Sequence, residues 1–318
     1  MSGKAHNYRL GGGCATAPVC LARPLEVSLM RSPDLPIHPT PRPAQSVGSL
    51  TISIVSHGQG ELVDILLRQL ARQTAPGLVR RVIITLNLPE DIAPDWTALG
   101  AFPVDIVRNL RPASFATNHN RALADCREGL VAVLNPDIEL LGDPFTPLVQ
   151  AARLPGVGLA APRVLEPDGR LADAARGLLT PGSVLARTVL RRREASPTPA
   201  WYAGMCLVLP ARAWQAMRGF DEGFRMYCED FDLCARLRLG GYALEQVPEA
   251  EVVHAARRSS NRNLRPLVWH VASLLRVWAS PVYRAYARLL RAPPVAHPGA
   301  TASDDDTAGI ALPRPHRG

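Results

Sequence analysis

Short apolar runs alternate with helical stretches between residues 50 and 134, and this alternation constrains the fold more than any other feature. Leu50-Thr-Ile-Ser-Ile-Val55 is a β-branched run, and residues 61–72 follow it with a wide apolar stripe at helical spacing. Arg81-Val-Ile-Ile-Thr-Leu86 and Val104-Asp-Ile-Val107 read as further buried strands. Residues 116–128 read as a helix, and Leu130-Val-Ala-Val-Leu134 as a strand halted at Asn135-Pro136. Such a pattern predicts an α/β fold with a mostly parallel central sheet and helices on both faces. Ligands of these sheets sit beyond the carboxyl ends of the strands. The polar residues that follow each strand are therefore the candidates for chemistry.

The second half is more mixed. Strand-like segments fall at 157–161, 203–210 and 242–248, with turn residues at Glu166-Pro-Asp-Gly169 and a charged, proline-containing loop at 191–199. A helix is expected over 229–239, stopped by Gly240-Gly241. Residues 1–47 carry Gly11-Gly12-Gly13 and a run of prolines with no period, which predicts a disordered leader. Met30 is an alternative start. The expected organisation is a disordered leader (1–47), an α/β domain (48–255), a basic amphipathic helical segment (256–292) and a disordered tail (293–318).

Composition excludes several classes. No uncharged apolar stretch is long enough to span a bilayer, and Lys4, Arg9, Arg23 and Glu26 interrupt the region where a secretory signal would lie. The expected location is cytoplasmic. Six cysteines form no CxxC pair and no zinc spacing, so free, buried, inert thiols are expected. The formal net charge of +8 suits an anionic partner, yet Lys4 is the sole lysine, a bias that points to genome composition. No nucleic-acid-binding module is recognisable, so no nucleic-acid partner is expected.

Four clusters could carry chemistry, each at the end of an apolar element. Ser56-His57 follows the first strand; an ordinary turn explains it equally well. In Phe115-Ala-Thr-Asn-His-Asn120, Thr117 and Asn118 could be helix N-caps or could meet a phosphate. Leu134-Asn-Pro-Asp137 presents Asp137 at a strand lip, either as a plain turn or as a ligand for Mg2+ or Mn2+, which favour oxygen donors. The richest cluster is Gly219-Phe-Asp-Glu-Gly-Phe-Arg-Met-Tyr-Cys-Glu-Asp-Phe-Asp-Leu-Cys-Ala-Arg236. The helix dipole accounts for acids in a first turn, but not for the aromatic and methionine block before them. Adjacent Glu229 and Asp230 could divide roles, one binding sugar hydroxyls and one taking a proton. Asp232 and Arg236 lie four apart and could pair.

This last segment, continuing through Gly241-Tyr242, Val247-Pro-Glu-Ala250 and Val253-His254, resembles the family 2 glycosyltransferases of GT-A fold, most of all their bacterial rhamnosyltransferase branch. Ser56-His57, Phe115–Asn120, Leu134–Asp137 and Gly204 before a short apolar run agree in order, over residues 50–262. The resemblance implies metal-dependent, inverting transfer of a sugar, rhamnose or another hexose, from a nucleotide-diphosphate donor to a glycan or lipid-linked hydroxyl. It assigns Asp230 as general base and Glu229 as an orienting group. It places Asp137 and His254 on Mg2+ or Mn2+, and Ser56, His57, Asn87, Asn118, Asn120, Asn135 and Asp137 around the donor. Trp201, Gly204 and Glu229 would face the acceptor. One departure stands out. Relatives carry Asp-Asn after the second strand, where this chain has Leu86-Asn87, so base recognition falls to Asn87, Glu90 or the backbone. A catalytically silent nucleotide-sugar-binding protein is the alternative of another class.

From Ala255 to Arg291 there is no acidic residue, while Arg257, Arg258, Arg262, Arg265, Arg276, Arg284, Arg288 and Arg291 are basic. Apolar residues recur at helical spacing, and Pro281 should divide the segment into two helices. Either a helical appendage packed on the domain or a peripheral contact with an anionic membrane surface fits this pattern.

Overall fold

The computed structural model describes residues 50–90, 96–127, 129–190, 199–255 and 265–292. The expected leader, the loose tail, Cys14, Cys20, Arg257, Arg258 and Arg262 lie outside the described residues. The first half runs β1 (Leu50–Ser56), α1 (Gly60–Gln73), β2 (Val79–Leu86), β3 (Val104–Arg108), α2 (Phe115–Ala122), β4 (Leu130–Leu134), β5 (Ile138–Leu140) and α3 (Phe145–Ala152). The second runs β6 (Val157–Leu165), β7 (Ala175–Arg176), α4 (Pro181–Thr188), β8 (Trp201–Tyr202), β9 (Cys206–Pro210), α5 (Ala211–Ala216) and α6 (Glu229–Leu239). It closes with β10 (Ala243–His254), α7 (Arg265–Ala279) and α8 (Pro281–Arg291).

One large sheet has the order β3-β2-β1-β4-β9-β6-β10-β5. β3, β2, β1 and β4 are parallel neighbours, as are β6 and β10, while β9 runs antiparallel between β4 and β6. β5 pairs antiparallel with the far end of β10. Successive side chains of a strand point to opposite faces, and this divides the interior into two cores. Leu130, Ala132 and Leu134 of β4 meet α1 and α3 on one face, with Val63, Leu67, Phe145 and Leu148. Val131 and Val133 join α2, α5 and α6 on the other, with Ala116, Trp214, Phe231 and Leu237.

Two expected elements have different bounds. The helix read over 116–128 ends at Ala122. Gln215 explains the early stop, because its Nε2 donates to the carbonyls of Leu123, Ala124 and Cys126, giving freed backbone acceptors a partner. The same helix is capped by Ser114, whose Oγ accepts from Thr117 N at 3.1 Å, and not by Thr117 or Asn118. The strand expected over 242–248 continues to His254 through a break in register between Val247 and Glu251.

The basic segment does divide at Pro281, with Ser280 capping α8 by accepting from Tyr283 N. Both helices are packed onto the sheet domain. Tyr286 is fully buried and its hydroxyl donates to the Ala200 carbonyl. Trp278 Nε1 donates to Leu179 O at 2.9 Å, Ser273 Oγ to Met226 O at 2.8 Å, and Arg276 pairs with Asp221 at 2.8 Å. Cys126, Cys206, Cys228 and Cys234 are free and buried, and burial pushes the Cys206 and Cys234 thiols up to about 12.

His119 of α2 is wholly buried under β1, with Nδ1 2.8 Å from Ser53 Oγ, and burial lowers its pKa to about 3. A lowered histidine leaves stability complete above the unfolded value near 6.5 and removes it as pH falls toward 3. The stability gap between wild type and His119→Gln should therefore shrink by about 1.4 kcal/mol per pH unit below pH 6. Urea titrations at pH 7, 6 and 5 test this, and a constant gap would contradict it.

Candidate active site

Three polar groups gather at the carboxyl ends of the parallel strands. At the ends of β1 and β2, Ser56 Oγ donates to Glu90 Oε2 at 2.8 Å, and Gly58 N donates to the other carboxylate oxygen at 3.3 Å. Asn87 is buried and saturated. Its Nδ2 lies 3.0 Å from His57 Nδ1 and donates to Ala113 O, while its Oδ1 accepts from Asn109 Nδ2 and Ala113 N, both at 2.8 Å. An amide side chain has two donors and two lone pairs, so Asn87 has no hydrogen-bonding position left for a base. Asn118 belongs to the same network, accepting from Asn109 Nδ2 at 2.7 Å. Asn120 clamps a loop instead, bonding the Phe220 backbone in both directions and Glu222. Gly219 in that loop has φ of +67°, and a Cβ there would collide with Asn120. Asn87, Asn118 and Asn120 thus act as scaffold, whereas His57 and Glu90 remain accessible.

At the end of β4 the chain turns through Asn135-Pro136, and Asp137 meets the last residue of β10. The antiparallel register His254↔Ile138 brings the two together, with Ala255 N donating to Asp137 O at 3.1 Å. Asp137 Oδ2 lies 3.1 Å from His254 Nε2, and Asp137 Oδ1 is buried without a hydrogen-bond partner. An orphaned carboxylate oxygen beside an imidazole nitrogen fits a divalent cation of the Mn2+ kind, which accepts mixed oxygen and nitrogen donors. Among the described residues no third His, Cys, Asp or Glu joins them. Such an ion would take its remaining ligands from substrate and water.

The third group heads α6. Tyr227 and Cys228 both have left-handed backbones, φ +71° and +68°, a conformation that costs a non-glycine residue of the order of 1–3 kcal/mol. This strained turn presents Glu229 and Asp230 to a cleft of about 370 Å³. Asp230 is held by Gly204 N on Oδ2 at 2.9 Å and by its neighbour Phe231 N on Oδ1 at 2.8 Å. Gly204 packs directly against Asp230, where an added Cβ would come to 3.4 Å, ordinary van der Waals contact. Glu229 Oε2 is buried without a partner. Burial, then the Asp230 charge, pushes Glu229 up to about 8; burial also raises Asp230, opposed by the Gly204 N–H and Arg176. The two acids are therefore unlike in their surroundings: both Asp230 oxygens meet a backbone N–H, whereas one Glu229 oxygen has no partner. Asp232 is different again. Its carboxylate pairs with Arg236 at 2.6 Å, and Arg236 ties down the carbonyls of Met217 and Gly219.

The cleft is walled by Trp201, Gly204, Met205 and Asn135, so the lining reaches within two residues of Asp137. Sequence reasoning gave no role to several other lining residues, among them the polar Arg176, Arg187 and His270. The signal for α4 was present in Thr180-Pro181, a cap followed by proline at the first helical position, with Thr180 and Ser183 forming a reciprocal capping box. A second cavity of about 300 Å³ lies at the amino ends of β1 and β2, lined by Thr51, Arg80 and Arg127, on the wrong side of the sheet for a ligand.

A mannosyltransferase from Pyrobaculum calidifontis, solved with GDP-Man and Mn2+, superposes with a TM-score of 0.51 at 15% identity, covering 80% of each chain. The fold is that of the GT-A glycosyltransferases. In sequence the chain is similar to N-acetylglucosaminyl-diphospho-decaprenol L-rhamnosyltransferase of Mycobacterium tuberculosis, 33% identical over 42% of this chain and 49% of the relative. It is also similar to rhamnosyltransferase WbbL of Escherichia coli, 38% identical over 25% of this chain and 30% of that one. The chain spans less than half the length of the curated relatives it matches. No protein-family model matches it. The resemblance read from the motifs, to rhamnosyltransferase-like glycosyltransferases of GT-A fold, is thus found in both sequence and fold.

Glu229 supplies a test of the site's electrostatics. Its pKa is raised on folding, so the associated stability is complete below about 4.5 and is lost as pH rises through about 8. Glu229→Gln should lie close to wild type near pH 5 and be the more stable of the two at pH 9. Thermal melts across that range check this, and a variant less stable at pH 9 would contradict it.

Proposed function

We propose that the chain is an inverting glycosyltransferase that moves a sugar from a nucleotide-diphosphate donor to a hydroxyl of a glycan or lipid-linked acceptor. The observation that carries this reading is the unequal Glu229–Asp230 pair, buried at the head of α6 beside the lining residue Asn135. Rhamnose is the favoured sugar, since two relatives are named for its transfer. Synthesis of cell-surface polysaccharide is the favoured setting.

Breaking a sugar–phosphate bond builds negative charge on the leaving diphosphate and positive character on the anomeric carbon. Asp137 and His254 would hold Mn2+ or Mg2+, and the ion, when bound, supplies a Lewis acid for phosphoryl oxygens. Asp230, its charge supported by two backbone N–H groups, accepts the proton of the attacking acceptor hydroxyl. Attack on the face opposite the leaving group inverts the anomeric centre. Glu229 stays protonated near pH 7 and can donate a hydrogen bond to a sugar hydroxyl. Ser56, His57 and Glu90 face the nucleoside end, where buried Leu86 stands in place of the usual acid.

General-base assistance is worth roughly 10²–10⁴ in rate. Asp230→Asn should lose at least that much turnover in a Mn2+-containing nucleotide-sugar consumption assay while still binding the donor, and Asp137→Ala should weaken donor binding. Wild-type turnover by Asp230→Asn would remove the base assignment, and donor binding without turnover by the wild type would favour the silent alternative.

The membrane contact expected of the basic segment finds support in the helices flanking the cleft. α4 lends Val184, Arg187 and Thr188 to the lining and leaves Leu185 exposed, with Val189 and Leu190 exposed just beyond its end. α7 lends His270 and leaves Leu267, Val268, Val271 and Leu275 exposed. With Arg284, Arg288 and Arg291 exposed on α8, this surface suits the anionic inner face of a cytoplasmic membrane. No helix among the described residues is long and apolar enough to cross one. Flotation with phosphatidylglycerol vesicles should recover the wild type, and Val268→Glu with Leu275→Glu should cut recovery about tenfold without lowering the melting temperature. Equal recovery of both proteins would overturn the contact.

A further inference from the structure

The acid-bearing wall of the cleft faces a basic one. On the basic wall, Asp173 is shared by two guanidinium groups, with Arg187 Nε at 2.6 Å and Arg176 Nε at 3.5 Å. Two positive charges on one carboxylate leave that wall with an excess of one, inside a site where water is partly excluded and charge is weakly screened. Arg176 is fixed by its bond to Asp173 O at 2.7 Å and by stacking over the Trp201 ring, 4.8 Å from its centroid. Trp201 is pinned in turn by Nε1 donating to Gly177 O at 2.9 Å. Arginine stacked on an aromatic ring and anchored by a carboxylate is preorganised to meet a phosphate with its remaining N–H groups.

The position of this pair separates it from the donor end. The nucleoside-facing groups sit after β1 and β2, and Asp137 with His254 after β4 and β10. Arg176 and Arg187 lie on β7 and α4, beside Trp201, on the side toward the exposed apolar surface of α4 and α7. His270 on α7 senses them, for its pKa is lowered first by burial and then by Arg176 and Arg187. A donor diphosphate already has a candidate partner in a metal ion, whereas an anionic group attached to the acceptor meets no other basic wall among the described residues that line the cleft. We propose that Arg176 and Arg187 form an anion subsite for a phosphate or diphosphate group on the acceptor. This rests on the glycosyltransferase reading and adds that the acceptor's charge, as well as its sugar, is recognised.

Binding can be read without turnover, so failure of the subsite and failure of the enzymatic reading are separable. Geranyl diphosphate serves as a sugar-free lipid diphosphate, titrated calorimetrically into the full chain in EDTA, with UDP plus Mn2+ as the donor-side probe. Saturable binding of geranyl diphosphate to wild type is expected, weakened at least tenfold by Arg187→Gln and partly restored by Arg187→Lys, with UDP affinity unchanged within twofold. Thr188→Glu, which adds a negative charge to the same wall and leaves Asp173 paired, should weaken geranyl diphosphate similarly. Absence of binding to wild type, or equal binding by folded Arg187→Gln and Thr188→Glu, would make the pair structural and overturn the proposal. A loss of UDP affinity as large as that of geranyl diphosphate would assign the pair to the donor and overturn it equally.

Discussion

Two carboxyl groups on adjacent residues, buried at the head of one helix, cannot both carry full charge without strong mutual repulsion. The rest of the cleft is arranged around that constraint. Gly204 N and Phe231 N meet Asp230 and leave Glu229 Oε2 without a partner, which favours the charge on Asp230. The backbone that makes this possible is itself strained at Tyr227 and Cys228. Burial of Phe231 against Trp201 and Tyr286, with ring centroids 5.9 and 6.1 Å apart, holds the helix down behind that turn. Stability is given up locally for a pair of acids with distinct proton affinities, a frequent arrangement in sites that move protons.

The C-terminal helices belong to this support. Ser273 on α7 bonds the Met226 carbonyl, one residue before the strained turn, and Arg276 holds Asp221 in the loop that leads to it. Tyr286 on α8 reaches the Ala200 carbonyl beside Trp201. A segment that reads as a basic appendage is therefore continuous with the walls of the cleft. Its outward face carries exposed leucine, valine and arginine.

Much of the first half was legible because burial on both faces forces strands into apolar runs, and such runs have few alternatives. β4 falls where the run Leu130–Leu134 places it, and α6 begins at Glu229 and ends before the glycine pair as expected. The second half was less legible. β7 and β8 are two residues each, and α4 has eight with no buried side chain, so neither periodicity nor composition marks them. The arginines of the cleft were hidden for that reason. Asn87 and Asn120 read as ligand-binding amides because sequence shows a polar group after a strand, but not that Ala113, Asn109 and Phe220 already satisfy it.

Sequence by itself determined the layering of helices on a mostly parallel sheet, and it marked Glu229, Asp230, Asp137 and His254 as candidates at the ends of apolar elements. Local pattern is sufficient there, since apolar spacing dictates which face is buried and a polar residue after a strand has to emerge at the sheet's edge. Only the tertiary structure decided that His254 meets Asp137 and that Arg176 and Arg187 confront the acid pair. Those outcomes depend on strand register and on which buried polar atoms find partners, and these are set by contacts between residues that lie far apart along the chain.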